Sequence, residues 1–157
     1  MTNKVAVVGQ GYVGLPLSIA VAEKNDFCFG IDISEDLVER LNKGLVNDLE
    51  YNKRSIKKVL KKNLYRATTS YKVIQEADIV VFCLPTPIKS GKPDLAILNN
   101  SFRRAKKFIK PTTILILESS VDPGLTRQMI RHFPLNDIAY SPERIDPLNK
   151  KWEVKKC

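Results

Sequence analysis

Residues 5–18 read VAVVGQGYVGLPLS. Four apolar residues, Val5 to Val8, lead into Gly9, Gly11 and Gly14, and an apolar-rich stretch follows. A short unbroken apolar run suits a strand buried on both faces. From Tyr12 to Lys24 the period turns helical, with Leu15, Ile19 and Ala22 on one side. Pro16 falls in the first turn, where proline is tolerated. Three glycines alone mark many ordinary turns. A strand before them and a helix after them give the GxGxxG spacing a physical role. Gly9 permits a tight turn, Gly11 lets a pyrophosphate approach the backbone, and Gly14 lets the helix pack close to the sheet. The unpaired N–H groups of the helix start then face the phosphates.

FCFGID, residues 27–32, reads as the next strand and ends on Asp32, 18 residues beyond Gly14. An acid there accepts hydrogen bonds from the adenosine ribose hydroxyls. It repels the 2′-phosphate of NADP, and no arginine follows it directly, so the expected cofactor is NAD. The alternative is a structural turn with an incidental acid.

Further along, Ser34 is placed to cap a helix whose first turn holds Glu35 and Asp36, and Gly44 is a natural stop. A third helix is expected near Ser55 to Lys62, then a weak strand in LYRAT and a short helix in YKVIQEA. DIVVFCL, residues 78–84, and TILIL, residues 113–117, read as buried strands. Between them lie the loop PTPIKSGKPD and a helix carrying Leu95, Leu98, Phe102 and Ala105. ESSVDPG is a loop, Leu125 to Phe133 a helix, and IAY a last short strand before SPER. Strands alternating with helices argue for right-handed crossovers and a parallel sheet, an α/β fold. Ligands of such sheets bind beyond the carboxyl ends of the strands. The glycine turn, PTP, ESS and SPER each follow an expected strand, so all four should gather along one edge.

The chain has 157 residues, 43% hydrophobic and 27% charged, which fits one globular domain with a real core. No apolar run is long enough for a membrane helix, and no signal-peptide pattern precedes Val5. A cytoplasmic protein is expected, with no membrane partner. The net charge of +9 raises nucleic acid as a partner. The cations interleave with apolar residues at helical spacing, as in Lys53 to Lys62 and Arg103 to Lys110, so solvated helix faces are expected and nucleic acid is not. Cys28, Cys83 and Cys157 show no pairing or metal spacing; the first two, in strand-like runs, are expected to be buried reduced thiols, and no metal is expected. His132, the one histidine, is expected to serve a helix end.

Together these residues resemble the UDP-glucose/GDP-mannose (nucleotide-sugar) dehydrogenase family. The likeness is carried by GQGYVGLP at 9–16, GID at 30–32, LNKG at 41–44, CLPTP at 83–87, ESSVDPG at 118–124 and SPERIDP at 141–147. It covers nearly the whole chain. PTP followed by KPDL, with Arg144 in SPER, is most similar to the branch acting on UDP-N-acetylhexosamines, with the UDP-glucose branch close behind. The resemblance implies a Rossmann-type doubly wound sheet and NAD as cofactor. Members oxidise the C6 alcohol of the sugar to a carboxylate with two NAD. It implies that Tyr12 and Val13 lie along the pyrophosphate with Gly9, Gly11 and Gly14, and that Thr86 and Ser120 line the nicotinamide side. The family more often has Thr where this chain has Ser120. Glu143 would orient water or substrate, and Arg144 would contact substrate. A second acid found four residues after that Glu in UDP-glucose members is Pro147 here. Read from the residues alone, Thr86 can equally shape a turn, Ser119 and Ser120 can be helix caps, and Glu143 and Arg144 can be an exposed ion pair.

Family chemistry passes through a cysteine that holds the aldehyde stage as a thiohemiacetal and then a thioester. That cysteine normally lies in a GGxCFxKD-like stretch, which this sequence lacks. The expectation is therefore a single domain, residues 1–147, followed by a basic tail, 148–157, and cut short at its C-terminal end. Such a chain would be inactive alone, poorly soluble, and without the central helix through which family members form homo-oligomers. It would meet a UDP-sugar only with the missing half supplied. A stand-alone NAD-binding or regulatory module is the alternative.

Overall fold

The computed structural model describes residues 2–46, 50–121 and 123–142. Six strands form one parallel sheet: β1 (Lys4–Val8), β2 (Phe27–Ile31), β3 (Tyr65–Thr68), β4 (Ile79–Phe82), β7 (Ile114–Leu117) and β8 (Ile138–Tyr140). Their spatial order is β3-β2-β1-β4-β7-β8. The chain winds outward from β1 through β2 to β3, then restarts at β4 on the other side of β1. Between β1 and β4 lies the topological switch point, where such sheets open a crevice for ligands.

Alternation along the strands feeds two cores. Ala6 and Val8 point to a layer containing Phe29, Phe82, Phe102 and Phe133, and Val5 and Val7 to one containing Leu15, Ile19, Ile56 and Val59. In the first layer Phe82 and Phe102 meet edge to face with centroids 4.8 Å apart. Both faces are covered, which is why the strands are apolar runs rather than alternating ones. Helices α1 (Gly14–Glu23), α2 (Glu35–Asn42) and α3 (Glu50–Lys61) lie towards β3, and α4 (Ala96–Ala105) and α5 (Leu125–His132) follow the strands of the other half.

Among the described residues, one side chain bonds the free side of the terminal strand β3. Asn42, in the LNKG stretch, donates to the Ala67 carbonyl at 3.0 Å and accepts from the Ala67 N–H at 2.9 Å.

Several boundaries differ from expectation. Helix α1 begins at Gly14, not Tyr12, because residues 9–13 are spent on the turn itself. Helix α3 begins at Glu50, well before Ser55, since no glycine or proline interrupts residues 50–55. YKVIQE forms a 3₁₀ helix, Tyr71–Glu76. The PTPIKSGKPD loop contains a hairpin, β5 (Ile88–Lys89) and β6 (Lys92–Pro93). Ser90 and Gly91 make its two-residue turn with φ of +52° and +75°, the left-handed pair that matches strand twist. Among the described residues no helix is long and apolar enough to cross a membrane.

Candidate functional site

Strand register aligns the site. Val8 pairs with Ile31 on one side and Phe82 on the other, and Phe82 pairs with Leu117. The strands therefore end level, and the glycine turn, Asp32, the PTP loop and the ESS loop all leave from one edge.

The three glycines have three distinct surroundings. Gly9 has φ +94°, and a Cβ there would stand 2.4 Å from the Cys83 carbonyl oxygen. A Cβ on Gly14 would stand 1.8 Å from the Gly9 carbonyl oxygen, so no larger residue fits between helix and turn. Around Gly11 a Cβ would meet nothing within 4 Å. Gly11 is thus the open point of the turn, where a bulky group can reach the backbone. Beside it Tyr12 is 67% exposed, while Val13 is half-buried and stands at the cap position of α1. That helix start has no side-chain cap and no acid in its first turn. Its field and its N–H groups suit an anion.

Asp32 sits half-buried at the end of β2. Its Oδ2 accepts from the Gln10 N–H at 2.9 Å, and its Oδ1 accepts from the Ser34 N–H at 3.0 Å. Each oxygen keeps further lone-pair capacity. Two backbone donors hold the carboxylate beside the turn. The Asp32 N–H donates to the Thr68 carbonyl at 3.1 Å, tying this loop to β3 as well.

On the β4 side of the crevice the Thr86 hydroxyl donates to the Ser120 carbonyl at 2.6 Å. The two loops expected to line one side are therefore joined, with the Ser120 residue exposed. Neither serine of ESS caps a helix. Helix α5 starts after Gly124 without a side-chain cap, and the buried Ser119 hydroxyl bonds the Leu84 N–H at 3.0 Å and the Phe82 carbonyl at 3.4 Å. That hydroxyl ties the end of β4 to the loop after β7. Cys83 is a further correction to expectation. It lies just past β4, is partly exposed, and its Sγ is 3.8 Å from Glu118 Oε2. Cys28 is buried as expected, and burial pushes its thiol pKa up to about 12, against a smaller opposing pull from the Ser18 hydroxyl. His132 ends α5, its ring 5.8 Å from that of Phe102. Glu143, Arg144, Pro147, Cys157 and the division at residue 147 lie outside the described residues.

Sequence reasoning did not single out Gln10, which is 2% exposed and fully engaged beneath the turn. Nor did it foresee Gly30, where a Cβ would stand 2.5 Å from the Tyr65 hydroxyl and 2.6 Å from Gln10 Oε1. A buried amide in the middle of the turn was the available signal, because such a group must find partners.

Glycines that admit close approach, an uncapped helix start and a fixed acid at the next strand end suit a dinucleotide. The residues present fit one. A family model described as "UDP-glucose/GDP-mannose dehydrogenase family, NAD binding domain" matches residues 3–155. This chain belongs to that family. This NAD-binding domain accordingly has NAD as its cofactor. It is 34% identical over 165 residues to Protein CapL of Staphylococcus aureus, covering 96% of this chain and 37% of that one. It is 33% identical over 162 residues to the UDP-N-acetyl-D-glucosamine 6-dehydrogenase of Pseudomonas aeruginosa, with 96% and 37% coverage. The solved UDP-D-ManNAc dehydrogenase of Pyrococcus horikoshii superposes with a TM-score of 0.86 at 27% identity, over 92% of this chain and 37% of that chain. The chain thus spans somewhat over a third of the length of these relatives.

Proposed function

We propose that this chain supplies the NAD-binding part of a nucleotide-sugar 6-dehydrogenase that oxidises the C6 alcohol of a UDP-N-acetylhexosamine to the carboxylate. The sugar is proposed from relatives whose names carry N-acetylglucosamine or N-acetylmannosamine. Going from alcohol to carboxylate removes four electrons, hence two hydrides and two NAD. When bound, NAD supplies the hydride acceptor.

The chain's own residues hold that cofactor and border the reacting carbon. Gly9, Gly11, Tyr12, Val13 and Gly14 receive the pyrophosphate at the helix start, and Asp32 accepts from the ribose hydroxyls. Thr86 and Ser120, joined to each other beside the crevice, border the nicotinamide side. Glu143 and Arg144 orient water and substrate. The observation that carries this reading is the pairing of an open Gly11 with an Asp32 whose two oxygens are held in place at the switch point.

Without a cysteine in the family's nucleophile context, this polypeptide is proposed to bind NAD but not to turn over nucleotide sugar by itself. Calorimetric titration with NAD and an NADH absorbance assay with UDP-N-acetylglucosamine test both halves. Binding without NADH production is the expected result. No measurable binding would sink the first half, and sustained NADH production would sink the second.

A further inference from the structure

We infer that Tyr65, on the terminal strand β3, is a positioning residue of the cofactor site that acts on Asp32 through the side chain of Gln10. The inference rests on the proposed role of Asp32 towards the ribose.

The Gln10 amide lies between two carbonyls and two hydroxyls. Its Nε2 donates to the Val7 carbonyl at 3.0 Å and the Gly9 carbonyl at 3.3 Å. Its Oε1 accepts from the Tyr65 hydroxyl at 2.9 Å, with the Ser18 Oγ at 3.2 Å. The opposite amide orientation would set an oxygen against two carbonyls, so the chemistry of the partners fixes this one. The two hydroxyls are not equivalent. Ser18 has one proton and a shorter bond, 2.8 Å, to the Gly14 carbonyl. Tyr65 is therefore the firm donor to Gln10. Its hydroxyl is buried and desolvation holds it protonated, so it remains a donor throughout the working pH range.

Locked at both ends of its amide, Gln10 is fixed in orientation at the centre of the glycine turn. Its own N–H then points at Asp32 Oδ2. Releasing the amide frees that peptide to rotate, and one of the two donors that hold the carboxylate goes with it. Gly30 fits the same account, since a side chain there would occupy the space where the Tyr65 hydroxyl meets Gln10 Oε1. The glycine of GID makes room for the contact rather than for the cofactor.

A double-mutant cycle tests this on the full chain, with NAD affinity and thermal melting measured for wild type, Asp32→Ala, Tyr65→Phe and the double variant. The loss of one hydrogen bond in the chain from Tyr65 to Asp32 should weaken NAD about fivefold in Tyr65→Phe. In the Asp32→Ala background the same change should weaken it no further, because the group it positions is gone. Equal losses in both backgrounds, or no loss in Tyr65→Phe while Asp32→Ala weakens binding, would overturn the inference. Unchanged affinity in Asp32→Ala would instead overturn the ribose assignment beneath it. Gln10→Met, which keeps the side chain's length and removes its donor and its acceptor together, should repeat the cycle if Tyr65→Phe melts too low to assay.

Discussion

The backbone N–H of Gln10 and the Oδ2 of Asp32 meet at 2.9 Å, joining the loop after β1 to the loop after β2. With Ser34 on the other oxygen, the carboxylate cannot swing away from whatever occupies the ribose position. Its charge is thereby presented at a fixed point. Two like charges about 4 Å apart near a protein surface repel by about 4 kcal/mol, so NAD should bind more tightly than NADP by well over about tenfold. Asp32→Ala should narrow that gap. Parallel titrations with the two dinucleotides check it, and equal affinities in wild type would contradict the assignment.

Gly11 and Gly14 separate cofactor binding from folding. At Gly11 an added methyl meets open space, so Gly11→Ala should melt at the wild-type temperature. On the proposed binding mode the same methyl would stand where the pyrophosphate approaches. The loss of a hydrogen bond to a charged group should lower NAD affinity about tenfold or more. Gly14→Ala drives a methyl into the Gly9 carbonyl and should lower melting itself. Circular-dichroism melts alongside NAD titrations distinguish the two; a Gly11→Ala protein that binds NAD normally would remove that glycine from the site.

Asn42 should matter to stability and not to chemistry. Truncating it to Ala leaves the Ala67 N–H and carbonyl without their side-chain partner at a partly buried edge. The expected cost is about 1–3 kcal/mol. Urea unfolding monitored by circular dichroism would measure it, and an unchanged midpoint would show that solvent replaces both bonds at no cost.

Alkaline pH should weaken the fold through Cys28. Its pKa rises from an ordinary 9.0 to about 12 on burial, so the folded state holds the thiol proton where the unfolded state releases it. Stability from this group is complete below pH 9 and is lost as pH climbs towards 12. Tyr65, also raised by burial, acts in the same direction. Relative to Cys28→Ala, the wild-type melting temperature should therefore fall between about pH 9 and pH 12. A constant difference across that range would show that Cys28 does not titrate there.

How much of this was legible in the sequence depends on the distance over which a residue finds its partners. Val5 to Val8 and the Asp78 to Leu84 run announce buried strands locally, and both are there. The spacing of Asp32 from the glycines places it at the next strand end. What its carboxylate bonds, however, depends on how two loops meet. The β5–β6 hairpin escaped because strands of two residues carry no periodicity, leaving only Ser90-Gly91 as a signal. Tyr65 and Gln10 are 55 positions apart and meet only because β3 and β1 flank β2. No local pattern reports such a meeting.

The side-chain amide of Asn42 has a consequence for how copies of this chain meet one another. A terminal strand ordinarily exposes a row of unpaired donors and acceptors on which a foreign strand can add. On β3 the outward donor and acceptor of Ala67 are already occupied by Asn42. A single carboxamide thus imitates a seventh strand at that point. It blocks intermolecular sheet extension where the strand is only four residues long, and links one residue of the LNKG stretch to resistance against aggregation.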